Sequence, residues 1–227
     1  PAAGLAAHRE IGARWIDRLG YPCDPDSVFV TSGGQHALSV IFAAETRPGD
    51  CVAAEQCTYP GVTALAEVLN LSVMGIPTDD HGLMPDALDT VCRRKKVRLL
   101  YCNPTLQNPT TSIMPRERRQ AIASIARKYG VMVIEDEIMR PLLTDHPGYI
   151  ASVAPDQTYL VVSASKAVAA GLRVGFVVVP PSARQRITES MNASCLGVPP
   201  LLPELLSLWL SDGTAEAVIN RRIHESA

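Results

Sequence analysis

Tyr159-Leu160-Val161-Val162-Ser163-Ala164-Ser165-Lys166-Ala167-Val168-Ala169-Ala170-Gly171-Leu172-Arg173-Val174-Gly175-Phe176-Val177-Val178-Val179 decides how the chain is read. Its two apolar runs, Tyr159 to Val162 and Gly175 to Val179, have no polar face. Each therefore reads as a strand buried on both sides, the mark of an α/β sheet covered by helices. Lys166 lies in the short connection between them. A lysine confined at a buried strand end is a candidate for Schiff-base chemistry with a carbonyl, since desolvation lowers the affinity of an ammonium for its proton. A solvated lysine in an ordinary connection fits the position equally well.

The α/β rhythm extends outward from this stretch in both directions. Leu5, Ile11, Trp15, Ile16 and Leu19 share one helical face that ends at Gly20, and Val28 to Thr31 follows as a strand. A helix is expected from Gln35 to Ala44, stopped by Arg47-Pro48-Gly49-Asp50. Then come a strand from Cys51 to Ala54, a helix from Gly61 to Leu69 and a strand from Leu71 to Ile76. Ile122, Ile125, Ala126 and Tyr129 recur at i, i+3, i+4 and i+7, predicting a helix over Pro115 to Tyr129. It leads into the buried strand Val131 to Ile134, which closes on Glu135-Asp136. Beyond Pro180 the pattern is helical. Residues 1–195 are thus expected to form one large domain, and 196–227 a helical segment leading into a second, smaller one.

Composition narrows the function classes. With 227 residues, 47% hydrophobic, 19% charged and a net charge of −2, the chain describes a globular protein without a polyanion-binding surface. The most apolar stretch, Leu196 to Leu210, is broken by Pro199, Pro200, Pro203 and Glu204 and is too short to span a bilayer. The six cysteines, at 23, 51, 57, 92, 102 and 195, form no CxxC pair and lack companion histidines, so no metal site is expected. They read as reduced thiols of a cytoplasmic protein. His36 reads as a packing residue, and Arg93, Arg94, Lys95, Lys96 and Arg98 as a basic cluster at a helix end. The chain starts at Pro1 and stops within a charged helical pattern, and reads as part of something longer.

In open α/β sheets ligands gather at the carboxyl ends of the strands, and here those ends are polar. Thr31-Ser32-Gly33-Gly34-Gln35 is a small-residue turn opening a helix, able either to cradle a phosphate or simply to turn tightly. Tyr59, in Glu55-Gln56-Cys57-Thr58-Tyr59-Pro60, offers a ring for stacking or for packing. Asn103-Pro104-Thr105-Leu106-Gln107-Asn108-Pro109-Thr110-Thr111 is long for such a connection and rich in amides. Asp136 is a carboxylate at the same edge, suited to a ligand or to capping.

These elements occur together and in order. The chain resembles pyridoxal-phosphate enzymes of the aminotransferase class I/II family, fold type I. The resemblance rests on SGGQ at 32–35, TYPG at 58–61, QNPT at 107–110, ED at 135–136, and SxxK with GLRVG at 163–175. It implies a mostly parallel mixed sheet between helices and pyridoxal 5'-phosphate as cofactor. By resemblance, Ser32, Gly33, Gly34, Gln35, Ser163 and Arg173 would hold the phosphate, and Tyr59 would stack on the ring. Asn108 would hydrogen-bond the ring hydroxyl and Asp136 the pyridine nitrogen, keeping the ring an electron sink. Lys166 would form the lysine aldimine and shuttle the α-proton. The reaction implied moves an amino group from an amino acid to a 2-oxo acid, in a homodimer. The Asn108–Pro109 bond is expected to be cis.

The chain departs from the family at two positions. Met139 stands where the family usually carries a tyrosine on the ring hydroxyl, and Ala170 replaces a proline. The family's substrate-carboxylate arginine and the partner subunit's phosphate tyrosine belong to segments outside this chain. TLQNPT at 105–110, YPG at 59–61 and LMPDAL at 83–88 further resemble the aminotransferase-like domains of GntR/MocR transcription regulators. That resemblance implies an effector-sensing role, with DNA contacted by an upstream module and not by this segment. Another reaction of the same cofactor, lyase or decarboxylase, uses the same ring chemistry.

Overall fold

The computed structural model describes residues 1–226. In chain order it contains α1 (Ala6–Arg18), β1 (Val28–Thr31), α2 (Gly34–Glu45), β2 (Cys51–Glu55), α3 (Pro60–Val68) and β3 (Ser72–Ile76). The short strands β4 (Thr78–Asp79) and β5 (Gly82–Leu83) precede α4 (Pro85–Arg94), β6 (Val97–Cys102), α5 (Arg116–Tyr129), β7 (Met132–Asp136) and α6 (Ile150–Val153). The chain closes with β8 (Thr158–Ser163), α7 (Ala164–Ala167), β9 (Gly175–Val178), α8 (Arg184–Cys195), α9 (Leu201–Ser211) and α10 (Thr214–Ser226). Ten of the strands and helices were expected from sequence within a residue or two: α1, β1, α2, β2, α3, β3, α5, β7, β8 and β9. The hairpin of β4 and β5 was not, because two-residue strands leave no periodicity to read.

The chain divides into two compact units, one of Pro1–Val40, Glu137–His146 and Val161–Ala227, the other of Ile41–Asp136 and Pro147–Leu160. The strand order is β1-β9-β8-β7-β6-β2-β3, with β8 passing from one unit to the other. In the second unit β2 pairs in parallel with β3 and with β6, and β6 with β7, in the register Tyr101↔Ile134 and Cys102↔Glu135. Parallel pairing needs a crossover between successive strands, and α3 and α5 supply crossovers here. Its core joins Ala53, Leu100 and Val133 from the strands to Leu88, Ile122 and Ile150 from the helices, all at most 1% exposed.

In the first unit β1 runs antiparallel to β9, in the register Thr31↔Gly175. Trp15 of α1 meets Phe176 of β9 edge to face, ring centroids 6.0 Å apart. At Gly175 the backbone of the β1 turn comes so close that an added Cβ would lie 2.9 Å from Thr31 Oγ1 and 3.2 Å from the Gly33 backbone. Gly175→Ala is therefore expected to cost about 1–3 kcal/mol through overpacking, read as a lower denaturant midpoint with unchanged slope. A midpoint equal to that of the wild type would show that the turn yields freely.

Candidate functional site

The first unit carries a turn shaped for an anion. Gly33 has φ +81°, a left-handed conformation that side chains resist, and it turns the chain from β1 directly into α2. A Cβ there would sit 3.3 Å from Arg173 Cζ, so the guanidinium lies close over the turn. Arg173 itself is held at φ +49° in the connection between β8 and β9. Gly34 and Gln35 open the first turn of α2, with Ser32 in the bend before it, where backbone N–H groups and the helix dipole favour negative charge. His36 braces that turn. Its Nδ1 accepts the Ser32 N–H at 3.0 Å, and its Nε2 lies 3.3 Å from Ser194 Oγ. Burial pushes its pKa below the ordinary histidine value.

Ser163, 1% exposed, caps α7: its hydroxyl accepts the Ser165 N–H and donates to the Val174 carbonyl at 3.1 Å. Lys166 lies within that one-turn helix, with Ala164 and Ala167 buried and Lys166 itself exposed. The sequence reading confined this lysine by the apolar runs around it. The structure corrects that, because β8 ends at Ser163 and β9 begins at Gly175, so the buried runs stop short of residue 166. Met139 closes the turn after β7, immediately before Arg140.

The second unit carries a polar strand edge. Asp136, the last residue of β7, is 3% exposed, and its Oδ2 accepts the Tyr101 hydroxyl at 2.7 Å. Burial, then the carboxylate beside it, drives the Tyr101 pKa well above the tyrosine range, so this phenol stays a donor. Asn103 ties the edge together: Nδ2 donates to the Asp136 carbonyl at 2.7 Å and Oδ1 accepts the Asn108 N–H at 2.9 Å. Asn108 is exposed, and its bond to Pro109 is cis, as expected. Tyr59, half-buried, stands at the N-terminus of α3.

A buried arginine anchors the loop that holds Asn108. Arg119, 1% exposed, donates from Nε to the Met114 carbonyl and from Nη2 to the Pro104 carbonyl and Thr105 Oγ1, each at 3.0 Å. Its Nη1 reaches Glu135 Oε1 at 3.4 Å, and Glu135 also accepts the Ile150 and Ala151 N–H groups. Sequence reading missed Tyr101, Asn103 and Arg119 as working parts. Arg119 left a signal, since it stands three residues before Ile122 on the apolar face of α5. Arg98, read as part of a helix-end basic cluster, lies instead on β6, paired with Glu45 at 3.2 Å.

The profile of the family "Aminotransferase class I and II" matches residues 1–226. The chain belongs to that family. An HTH-type transcriptional regulator of Bacillus subtilis, YdeF, is 31% identical over 211 residues, covering 93% of this chain and 46% of that protein. The 2-aminoadipate transaminase of Thermus thermophilus is 29% identical over 228 residues, covering 95% of this chain and 55% of its own. Among solved structures, Thermus thermophilus LysN, an α-aminoadipate aminotransferase complexed with N-(5'-phosphopyridoxyl)-L-leucine, superposes with a TM-score of 0.88 at 28% identity, over 99% of this chain and 58% of that one. Pyrococcus horikoshii kynurenine aminotransferase, in complex with PMP, gives 0.89 at 25%, over 99% and 57%. The fold is that of the fold type I large domain. The chain spans about half the length of the relatives it matches.

Proposed function

We propose that this chain is the cofactor-binding part of a pyridoxal-phosphate-dependent aminotransferase that moves an amino group from an amino acid to a 2-oxo acid. The observation that carries the reading is Asp136, a buried carboxylate at a parallel strand end, kept an acceptor by Tyr101. The residues fit the cofactor. A phosphate suits the turn where the Arg173 guanidinium lies close beside Gly33, and a pyridine N–H suits Asp136.

In this reading Ser32, Gly33, Gly34, Gln35, Ser163 and Arg173 hold the phosphate, Tyr59 stacks on the ring, and Asn108 donates to the ring hydroxyl oxygen. Asp136 accepts the ring N–H and favours its protonated form. Bound pyridoxal phosphate supplies an electron sink for the bond broken at the substrate α-carbon. Lys166 anchors the cofactor covalently through Nζ. Its amine, once free, would serve as the base and acid for the proton at the substrate α-carbon. Residues 1–195 form the cofactor domain in this reading, and those from 196 onward lead into a smaller one.

Loading the protein with cofactor and offering a panel of amino donors with 2-oxoglutarate tests the proposal. Interconversion of the cofactor's absorption bands by at least one donor is expected. A fully loaded protein that converts none would sink it in favour of the second reading, an effector-sensing domain of a GntR/MocR-type regulator. Met139, in place of the family's tyrosine, and the similarity to YdeF favour that alternative. It predicts a helix-turn-helix module encoded upstream of Pro1. Product analysis separates transamination from lyase or decarboxylase chemistry.

Two features bear on assembly and compartment. Helix α9 is apolar on both faces, burying Pro203, Leu206 and Leu210 while leaving Leu201 77% and Leu208 56% exposed. A helix apolar all round is usually covered, and the cover proposed is a second copy in a homodimer. All six cysteines are free thiols, in keeping with the cytoplasm. No helix among the described residues is long and apolar enough to cross a membrane.

A further inference from the structure

One buried acid at the same strand edge has no part in the chemistry above. Glu55 ends β2, beside β6, and is 1% exposed. Its Oε1 accepts the Asn103 N–H at 3.0 Å and lies 3.8 Å from Cys102 Sγ. Its Oε2 is fully buried without a hydrogen-bond partner among the described residues. The groups that face it are Asn103, Gln107, Asp136 and Cys102, with Tyr101 also within electrostatic reach, and none of them is cationic. A carboxylate buried with an unpaired oxygen and no counter-ion is strongly disfavoured, so such a group keeps its proton.

We propose that Glu55 is a positioning residue for Asp136: it stays neutral while the strand edge carries one negative charge, and releases its proton when a cationic ring nitrogen pairs with Asp136. The inference rests on the reading of Asp136 as the ring-nitrogen acceptor. Its physical basis is reciprocal. Two carboxyl groups that share one edge each raise the other's proton affinity, and a positive charge placed between them lowers both. Burial pushes the Glu55 pKa up to about 7, and the Asp136 charge adds to the rise, while the Asn103 N–H and the Gln107 amide pull it down. The edge is therefore poised to gain or lose a proton near neutral pH.

A group whose pKa is raised on folding binds protons more tightly in the folded chain. The stability it contributes is present below the ordinary carboxyl range and is lost as pH rises through about 7. The test is thermal melting of the full chain, prepared without cofactor, from about pH 5 to about pH 9. Wild type and Glu55→Gln are expected to melt together at the acid end. The variant, which cannot ionise, should melt roughly 5–10 °C higher at the alkaline end.

In Asp136→Asn, with Glu55 intact, the neighbouring charge that raises the Glu55 pKa is gone, so the break should move to lower pH. Cofactor affinity then reads the coupling from the other side. Glu55→Gln should match wild type at pH 6 and bind about tenfold more weakly at pH 9, where wild type has the second anion. Parallel melting curves for wild type and Glu55→Gln overturn the proposal, as does a break that Asp136→Asn leaves in place. Failure of the wild type to bind cofactor retires the reading of the site instead, and the cofactor-free melts still decide whether Glu55 and Asp136 are coupled.

Discussion

Lys166→Ala is expected to lower transamination by at least about 10²–10⁴-fold, the usual contribution of a positioned acid–base group, and to abolish covalent attachment of the cofactor. The loss should fall on kcat, because the proposed phosphate turn at Gly33 and Arg173 and the proposed acceptor at Asp136 are untouched. Borohydride reduction of the loaded wild type, followed by peptide mass spectrometry, should place the cofactor mass on the peptide containing Lys166. Cofactor found on another lysine, or a variant retaining most of its turnover, would remove Lys166 from the chemistry. The exposure of Lys166 on its one-turn helix supports this role. An amine that must attach to a cofactor, leave it and carry a proton needs room to move, and α7 provides that room while Ala164 and Ala167 anchor the backbone.

What could be read from sequence follows a physical division. The sheet was legible because its strands are buried on both faces, which turns Val131–Ile134 and Tyr159–Val162 into uninterrupted apolar runs. Glycine and proline punctuate them at Gly20, Pro48-Gly49 and Gly130, where the helices stop. Residues proposed to touch a ligand directly were legible through their motifs, because close approach and charge demand particular residue types. The side chains that hold those residues left weaker traces. Tyr101 and Glu55 are ordinary strand residues until β2, β6 and β7 lie in register, which brings Glu55, Tyr101 and Asp136 to one edge. Asn103 was one of several amides in a polar loop, and only the folded loop shows that it spans from Asp136 to Asn108. Pairings across the sheet have no periodicity along the chain.

Arg119→Met carries the largest expected effect on stability, about 3–5 kcal/mol. The two side chains are similar in volume, though methionine is shorter, so the cost is electrostatic more than steric. Glu135, 0% exposed, loses a guanidinium that offsets its charge, and a carboxylate left in such a place is penalised far more than the pair gained by forming. The same substitution removes donors from the Pro104 and Met114 carbonyls and from Thr105 Oγ1. Those contacts clamp both ends of the loop bearing Asn108, so the damage should reach the candidate site. Hydrogen exchange should rise across residues 103–114, and cofactor affinity should fall together with the denaturant midpoint. Pairing the change with Glu135→Gln separates the two causes. The double variant should regain much of the stability, since it buries no lone charge, but it should recover neither the protection of the loop nor the affinity, because the three loop contacts are still missing. A single variant within about 1 kcal/mol of wild type would show that Glu135 is neutral or solvated in the folded chain, and that the loop is held by its own turns.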